Sequence, residues 1–315
     1  MGNFMNVKKE KEPRDKNQET RTKTKTLNPL IMNPEYQNQE KNKEHYEKVY
    51  ANFNISNILH WINNLDAFLD TATTTETSWF GLYQNNFKGK IKGKKVLEMG
   101  CGDCTNAAVM AALGAEVYAN DIASASGEIV RKLNKNYSFK HPIVFVEGDF
   151  LENNLTSQSF DFVVGKAFLH HLNIPTEKLF LKETARLLKL DGEARFFEPA
   201  VNNKVLDQIR WLIPVKNRPS KLQFKAFKKW KEEDPHPDRT YSSRHFEKVG
   251  KDFFEIVETY MVGTLERFNK FITPGKKRNS FKKWALKREA KLPLFLNRSL
   301  SRSQLIIYRK PLRFL

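Results

Sequence analysis

Residues 94–104 set a short apolar run, an acid and two glycines in immediate succession: Lys94-Lys-Val-Leu-Glu98-Met-Gly100-Cys-Gly102-Asp-Cys104. Val96 and Leu97 suit a buried strand, and Glu98 stands at its carboxyl end. Gly100 and Gly102 allow a tight turn where a ligand can approach bare backbone. The alanine-rich stretch that follows, closed by Gly114, reads as a helix packed on a sheet. Glu116-Val-Tyr-Ala-Asn-Asp121 then reads as a second strand ending in an acid. A strand, a turn and a helix that lead back to a parallel strand commit the chain to a layered α/β architecture.

The alternation continues. Strands are expected at 95–98, 116–120, 143–147, 160–164 and 194–197, with helices near 105–113, 124–136 and 176–189 and a helix-to-strand turn at Asp191-Gly192. Such a series gives a mostly parallel sheet with helices on both faces, and its ligands sit outside the carboxyl ends of the strands. Glu98, Asp121, Asp149 and Glu198 all fall at that edge. Further on, Ser242 to Phe254 reads as a capped helix, Glu255 to Val262 as a strand and Gln304 to Tyr308 as a last strand.

The flanks differ from this core. Residues 1–40 are polar and aperiodic, with the composition of a disordered tail. Residues 41–90 carry apolar residues at helical spacing and read as a helical cap, in which Trp79 and Tyr83 could line a flap over the substrate. Residues 201–245 form a basic, aromatic lid or substrate-side insert, and 246–315 complete the sheet around a basic insertion at 263–303. The formal charge of +18 is uneven: residues 201–315 hold 28 Lys and Arg against 11 Asp and Glu, whereas 51–200 hold 15 against 17. That excess suits a solvated surface, an anionic lipid or acidic substrate, or, less well, nucleic acid. Within the insertion Phe281, Trp284, Ala285 and Leu292 share one helical face, which fits a helix docked on the protein's own sheet or one lying on anionic lipid. No apolar run reaches the roughly 20 residues of a membrane span and no signal sequence opens the chain, so a cytoplasmic protein is expected. Two cysteines cannot build a disulfide framework.

Four ligand chemistries compete at the glycine turn. A dinucleotide fingerprint needs a third glycine at 105, where Thr stands, and a P-loop needs Gly-Lys-Ser or Gly-Lys-Thr. A redox reading of Cys101-Gly-Asp-Cys104 lacks supporting residues. The fourth is S-adenosylmethionine. Val96-Leu-Glu-Met-Gly-Cys-Gly102 resembles motif I of class I S-adenosylmethionine-dependent methyltransferases of the small-molecule type. Asp121, 23 residues beyond Glu98, is similar to the acid that holds the ribose hydroxyls, and Glu147-Gly-Asp149-Phe150 to the segment that meets the adenine. Residues 160–172 resemble motif IV, and 187–199 its following helix, glycine turn and fifth strand. The resemblance runs strongly over 90–200 and loosely over 240–310. It implies a Rossmann-like seven-stranded sheet with an antiparallel last strand. It also implies S-adenosylmethionine bound by Glu98, Gly100, Gly102, Asp121, Ile122, Asp149, Phe150 and Lys166. Cys104 departs from the pattern where the family often has a third glycine, and Gly165-Lys-Ala-Phe replaces the Asn-Pro-Pro-aromatic string of enzymes that methylate base amino groups.

The chemistry needs few groups. Methyl transfer from a sulfonium is an in-line displacement, so placing and desolvating the acceptor supplies most of the rate. A base is required only for a hydroxyl or a protonated amine. His170 and His171, just beyond the fourth strand, are the candidates, with Glu198 and His236 as further acceptor contacts. No residue cluster has metal-ligand spacing, so no metal is expected. The sequence therefore points to transfer of a methyl group to a small or lipid-like acceptor, with peripheral contact to anionic membrane. An RNA or protein methyltransferase that uses the basic C-terminal region, or a non-catalytic cofactor-binding module, stays open, as does the oligomeric state.

Overall fold

In a computed structural model, residues 34–214, 218–233 and 241–313 are described. Five helices come first: α1 (Pro34–Tyr50), α2 (Ser56–Asn63), α3 (Leu65–Thr75), α4 (Thr77–Leu82) and α5 (Phe87–Lys90). The alternating core follows as β1 (Lys95–Met99), α6 (Thr105–Ala112), β2 (Glu116–Asp121), α7 (Ser124–Asn136), β3 (Val144–Glu147), β4 (Phe160–Lys166), α8 (Ile174–Leu187) and β5 (Leu188–Pro199). Then come α9 (Lys204–Leu212), α10 (Phe224–Glu233), α11 (Ser243–Gly250), β6 (Phe254–Val262), α12 (Lys276–Glu289), α13 (Leu294–Leu300) and β7 (Ser303–Pro311). The seven strands form one sheet in the order β3-β2-β1-β4-β5-β7-β6. Only β7 runs against its neighbours, pairing antiparallel with both β5 and β6.

Side-chain alternation along each strand divides the core between the two faces. Val96, Val164 and Ile307 join the cluster that also takes α2 to α6, while Leu97, Val163 and Ile306 join the cluster under α8 and α11. Four of the five β1 residues are buried, as a central parallel strand requires. Local signals set the helix starts. Asn173 accepts from the Thr176 N–H at 2.9 Å ahead of Pro175, and Ser242 accepts from the His245 N–H at 3.2 Å.

Four sequence expectations change. Residues 34–40, assigned to the polar tail, open α1, with proline at its first position, where the missing N–H costs nothing; residues 1–33 lie outside the described residues. The helix expected over 242–254 ends at Gly250, and Phe254 already pairs with Pro311. The turn at Asp191-Gly192 takes the form of an irregularity in β5: Leu188 faces Phe160 and Glu193 faces Phe162, so the residues between them loop out of register. The basic insertion supplies α12, which packs chiefly against α3 and the 3₁₀ turn Glu266–Phe271 and not against the sheet. Ala285 and Leu286 are its buried contacts, and Lys282 Nζ reaches Glu76 at 2.7 Å. Trp284, by contrast, is 50% exposed. No helix among the described residues is long and apolar enough to cross a membrane.

This docking is testable by chemical denaturation. Leu286→Ala should cost about 2–5 kcal/mol of stability, as for other fully buried leucines. Trp284→Ala should change it by less than about 1 kcal/mol, as at half-exposed sites. Equal effects would contradict the placement of α12.

Candidate active site

The carboxyl edge of the sheet is shaped by the turn between β1 and α6. Gly100 and Gly102 adopt φ of +58° and +53°. A Cβ on Gly100 would lie 2.2 Å from a ring carbon of Phe168, and one on Gly102 would lie 2.7 Å from the Tyr50 hydroxyl. Both positions therefore need glycine for conformation and for space. Cys104 adopts a left-handed φ of +58° at the start of α6, so it reproduces the backbone shape a third glycine would give. Its sulfur lies 3.5 Å from that of Cys101, and both residues are buried. Burial pushes the Cys101 thiol well above its usual range. For Cys104 the hydrogen bond with Cys101 acts in the lowering direction, but burial and the nearby carboxylates prevail and raise it. Reactive thiols have the opposite shift, so the pair is structural packing.

Four acids, Glu98, Asp103, Asp121 and Asp149, line one cavity of about 450 Å³ at this edge. Asp121 ends β2 and accepts from the Gly102 N–H at 2.8 Å and the Ala123 N–H at 3.0 Å. Burial raises its pKa, against the pull of these bonds. Asp149 accepts from the Leu151 N–H at 2.9 Å and from Gln39 Nε2 at 3.2 Å. Glu98 is 2% exposed, and its Oε1 accepts from Asn106 Nδ2 at 2.8 Å. Its Oε2 has no hydrogen-bond partner among the described residues. Burial pushes the Glu98 carboxyl up to about 8, although Asn106 and Lys166 act against the rise. Burial in turn lowers the pKa of Lys166, against the attraction of Glu98 and Asp103. Ile122, Phe150 and Lys166 also line the cavity.

Sequence-derived acceptor residues sit elsewhere. Trp79 and Tyr83 are 8% and 7% exposed and belong to the core behind the cavity wall. Trp79 lies 4.6 Å beneath the Lys166 ammonium, and the Tyr83 hydroxyl donates to Asn106 Oδ1 at 3.0 Å. Their aromatic character thus positions the two residues that face the ligand space. Glu198 is fully buried, and Oε1 accepts from the Phe168 and Leu169 N–H groups at 2.9 and 2.7 Å. Its Oε2 lies 2.8 Å from His170 Nδ1. It therefore fixes the 3₁₀ turn Leu169–His171 to β5. His170 and His171 both line the cavity, with His171 Nδ1 3.1 Å from Asn42 Oδ1. His236 lies outside the described residues.

The helical cap expected at 41–90 reaches the cavity through α1, which begins upstream of that range, at Pro34. Helix α1 crosses the cavity with Gln39, Asn42, Tyr46 and Tyr50 in its lining. Glu47 anchors it by accepting from the Ser124 and Ala125 N–H groups at 2.6 and 3.1 Å, at the start of α7. Burial raises the Glu47 pKa, but these bonds outweigh it and hold the carboxyl below its usual range. Tyr46 and Tyr50, part of the helical spacing read from the sequence, form an i,i+4 pair whose rings stack at 5.6 Å.

The Glu98 environment has a pH signature. A carboxyl with pKa raised from 4.5 to about 8 on folding contributes stability below the lower value that is lost as pH rises through the higher one. Unfolding free energies of the ligand-free protein should decline between about pH 5 and pH 8, and Glu98→Gln should flatten that decline. An unchanged slope in a folded Glu98→Gln variant would contradict the burial of an unpartnered carboxyl.

Residues 97–196 match the family model described as "Methyltransferase domain". The chain is 30% identical over 140 residues to a ubiquinone biosynthesis O-methyltransferase from Idiomarina loihiensis, a match that covers 43% of this chain and 52% of that relative. The chain thus spans about half the length of the curated relative it matches. A solved phosphoethanolamine N-methyltransferase 2 of Haemonchus contortus in complex with S-adenosyl-L-methionine is similar, with 14% identity, coverage of 78% of this chain and 57% of that one, and a TM-score of 0.45. So is a geranyl diphosphate C-methyltransferase from Streptomyces coelicolor, with 12% identity, 72% and 79% coverage and a TM-score of 0.44. Over residues 97–196 this chain is therefore similar to a methyltransferase domain.

Proposed function

We propose that the chain is an S-adenosylmethionine-dependent methyltransferase that acts on a small or lipid-like acceptor, with its cofactor in the cavity beneath α1. The observation that carries this reading is the Glu98 carboxylate oxygen, buried without a partner among the described residues in the wall of that cavity. A buried acceptor left unmade is costly, and a ligand ammonium would satisfy it. Lys166 supports the matching carboxylate. Each Asp121 oxygen accepts one backbone bond and retains capacity for a sugar diol, while Asp149 can accept from an adenine amine. Gly100, Gly102, Ile122 and Phe150 supply the remaining contacts.

Bound there, S-adenosylmethionine supplies a methyl carbon whose bond to sulfur breaks as the acceptor lone pair attacks, with the electron pair left on sulfur. His170, oriented by Glu198, takes the proton of an acceptor hydroxyl or amine; such a base held by a carboxylate is a recurrent catalytic arrangement. Helix α1 and Phe168 exclude water from the reacting atoms.

Two variants separate the roles. Asp121→Ala should weaken S-adenosylmethionine binding about 10- to 100-fold in calorimetry while circular dichroism stays native. His170→Gln should leave cofactor affinity nearly intact and lower methyl transfer from labelled cofactor by about a hundredfold or more. Unchanged cofactor affinity in a folded Asp121→Ala protein would remove the ribose assignment, and full turnover in His170→Gln would remove the base.

A further inference from the structure

A second, larger cavity of about 900 Å³ lies between the end of β5, α9, the 3₁₀ turn Glu266–Phe271 and α13. Ala167 lines both cavities, and Glu198, which holds His170 in the first, lines the second. The two spaces therefore adjoin at the end of β4. Ala167 adopts a left-handed φ of +58° there, and its N–H donates to Phe197 O at 2.8 Å. Strained non-glycine backbone of this kind concentrates at functional sites.

The lining of the second cavity is amphipathic. Leu206 and Ile209 of α9, Phe268, Phe271, Leu296 and Leu300 supply hydrocarbon. Ile209, Phe268 and Phe271 remain 47%, 49% and 86% exposed, so the apolar surface is continuous with the mouth. Among these residues stand five cations, Arg210, Arg218, Arg267, Lys270 and Arg302. Burial first, and then mutual repulsion with Arg302 and Arg210, holds Arg267 and Lys270 below their usual ranges. The nearby acids are already engaged: Glu266 pairs with Arg302 at 2.5 Å and Asp207 lies 3.8 Å from Arg210. No carboxylate among the described residues lies within ion-pair distance of Arg267 or Lys270. Partly desolvated cations crowded against hydrocarbon favour an anion that brings its own apolar body.

We propose that this cavity is the acceptor pocket and that the acceptor is an anionic amphiphile, a phosphate or carboxylate group joined to a hydrocarbon chain. The anion sits with Arg267 and Lys270, the chain lies on Leu206, Ile209, Phe268 and Leu296, and the atom to be methylated reaches Ala167. This assignment rests on the methyltransferase reading of the adjoining cavity. It also gives part of the C-terminal positive charge a use, since five of its cations line this apolar space.

The test is calorimetry of the full chain saturated with S-adenosylhomocysteine, titrated with dodecyl phosphate below its micelle concentration. Uncharged dodecanol, inorganic phosphate and anionic phospholipid vesicles serve as parallel probes. Dodecyl phosphate should bind one to one and at least about tenfold more tightly than dodecanol or inorganic phosphate. Lys270→Gln and Ile209→Ser, both at exposed positions that the fold tolerates, should each weaken it several-fold without changing S-adenosylhomocysteine affinity. Equal binding of dodecanol, equal binding of inorganic phosphate, or binding to vesicles with none to the monomer would each overturn the pocket. Failure of S-adenosylhomocysteine to bind, with dodecyl phosphate still bound, would instead overturn the methyltransferase reading alone.

Discussion

The carboxylate of Asp121 joins the parts of this molecule that make a site. It accepts one backbone N–H from the glycine turn after β1 and another from the segment that enters α7. The same junction is laced by Cys101 N–H to Asn120 O at 3.0 Å and by Ser126 Oγ to Gly102 O at 2.7 Å. With the turn held against β2, Gly100, Gly102 and Asn106 of α6 line the cavity, and the start of α7 is placed where Glu47 can pin α1 across the top. Wall and roof thus depend on a single buried acid. Its burial raises its pKa, and the backbone bonds that it accepts act against that rise.

Much of the core was legible because its signals are local and repeated. Val96 and Leu97 alternate between two buried faces, glycines mark the positions of positive φ, and acids close β1 and β2. The strands that bracket the basic insertion, and the antiparallel last strand, were also readable. The first turns of α1 were hidden because they are polar: Gln39 reaches the site from a stretch that a periodicity argument does not separate from a solvated tail. The aromatic pair Trp79 and Tyr83 was placed on the wrong side of the cavity wall, since sequence shows aromatic character and not the face it turns to. Glu198, expected at the substrate, lines the second cavity and is also the buried acceptor that holds the turn carrying His170.

The division of labour between the two cavities follows from their chemistry. The one beneath α1 is acidic and lies at the carboxyl ends of the strands. Its neighbour is larger, apolar and ringed with cations, and it is built from α9, a 3₁₀ turn and α13, elements added around the sheet. On the proposed reading, the sheet edge serves the cofactor and the added elements select the acceptor. Ala167 stands between them, in a conformation that costs on the order of 1 kcal/mol for a residue with a Cβ.

The most direct measurement of the central claim is a crystal structure of the full chain with S-adenosylhomocysteine. The account places the ligand beneath α1, with its ribose hydroxyls on Asp121, its ammonium on Glu98 Oε2 and the sulfur facing Ala167. A ligand bound outside this cavity, or one seated in it with the ribose away from Asp121, would contradict the account.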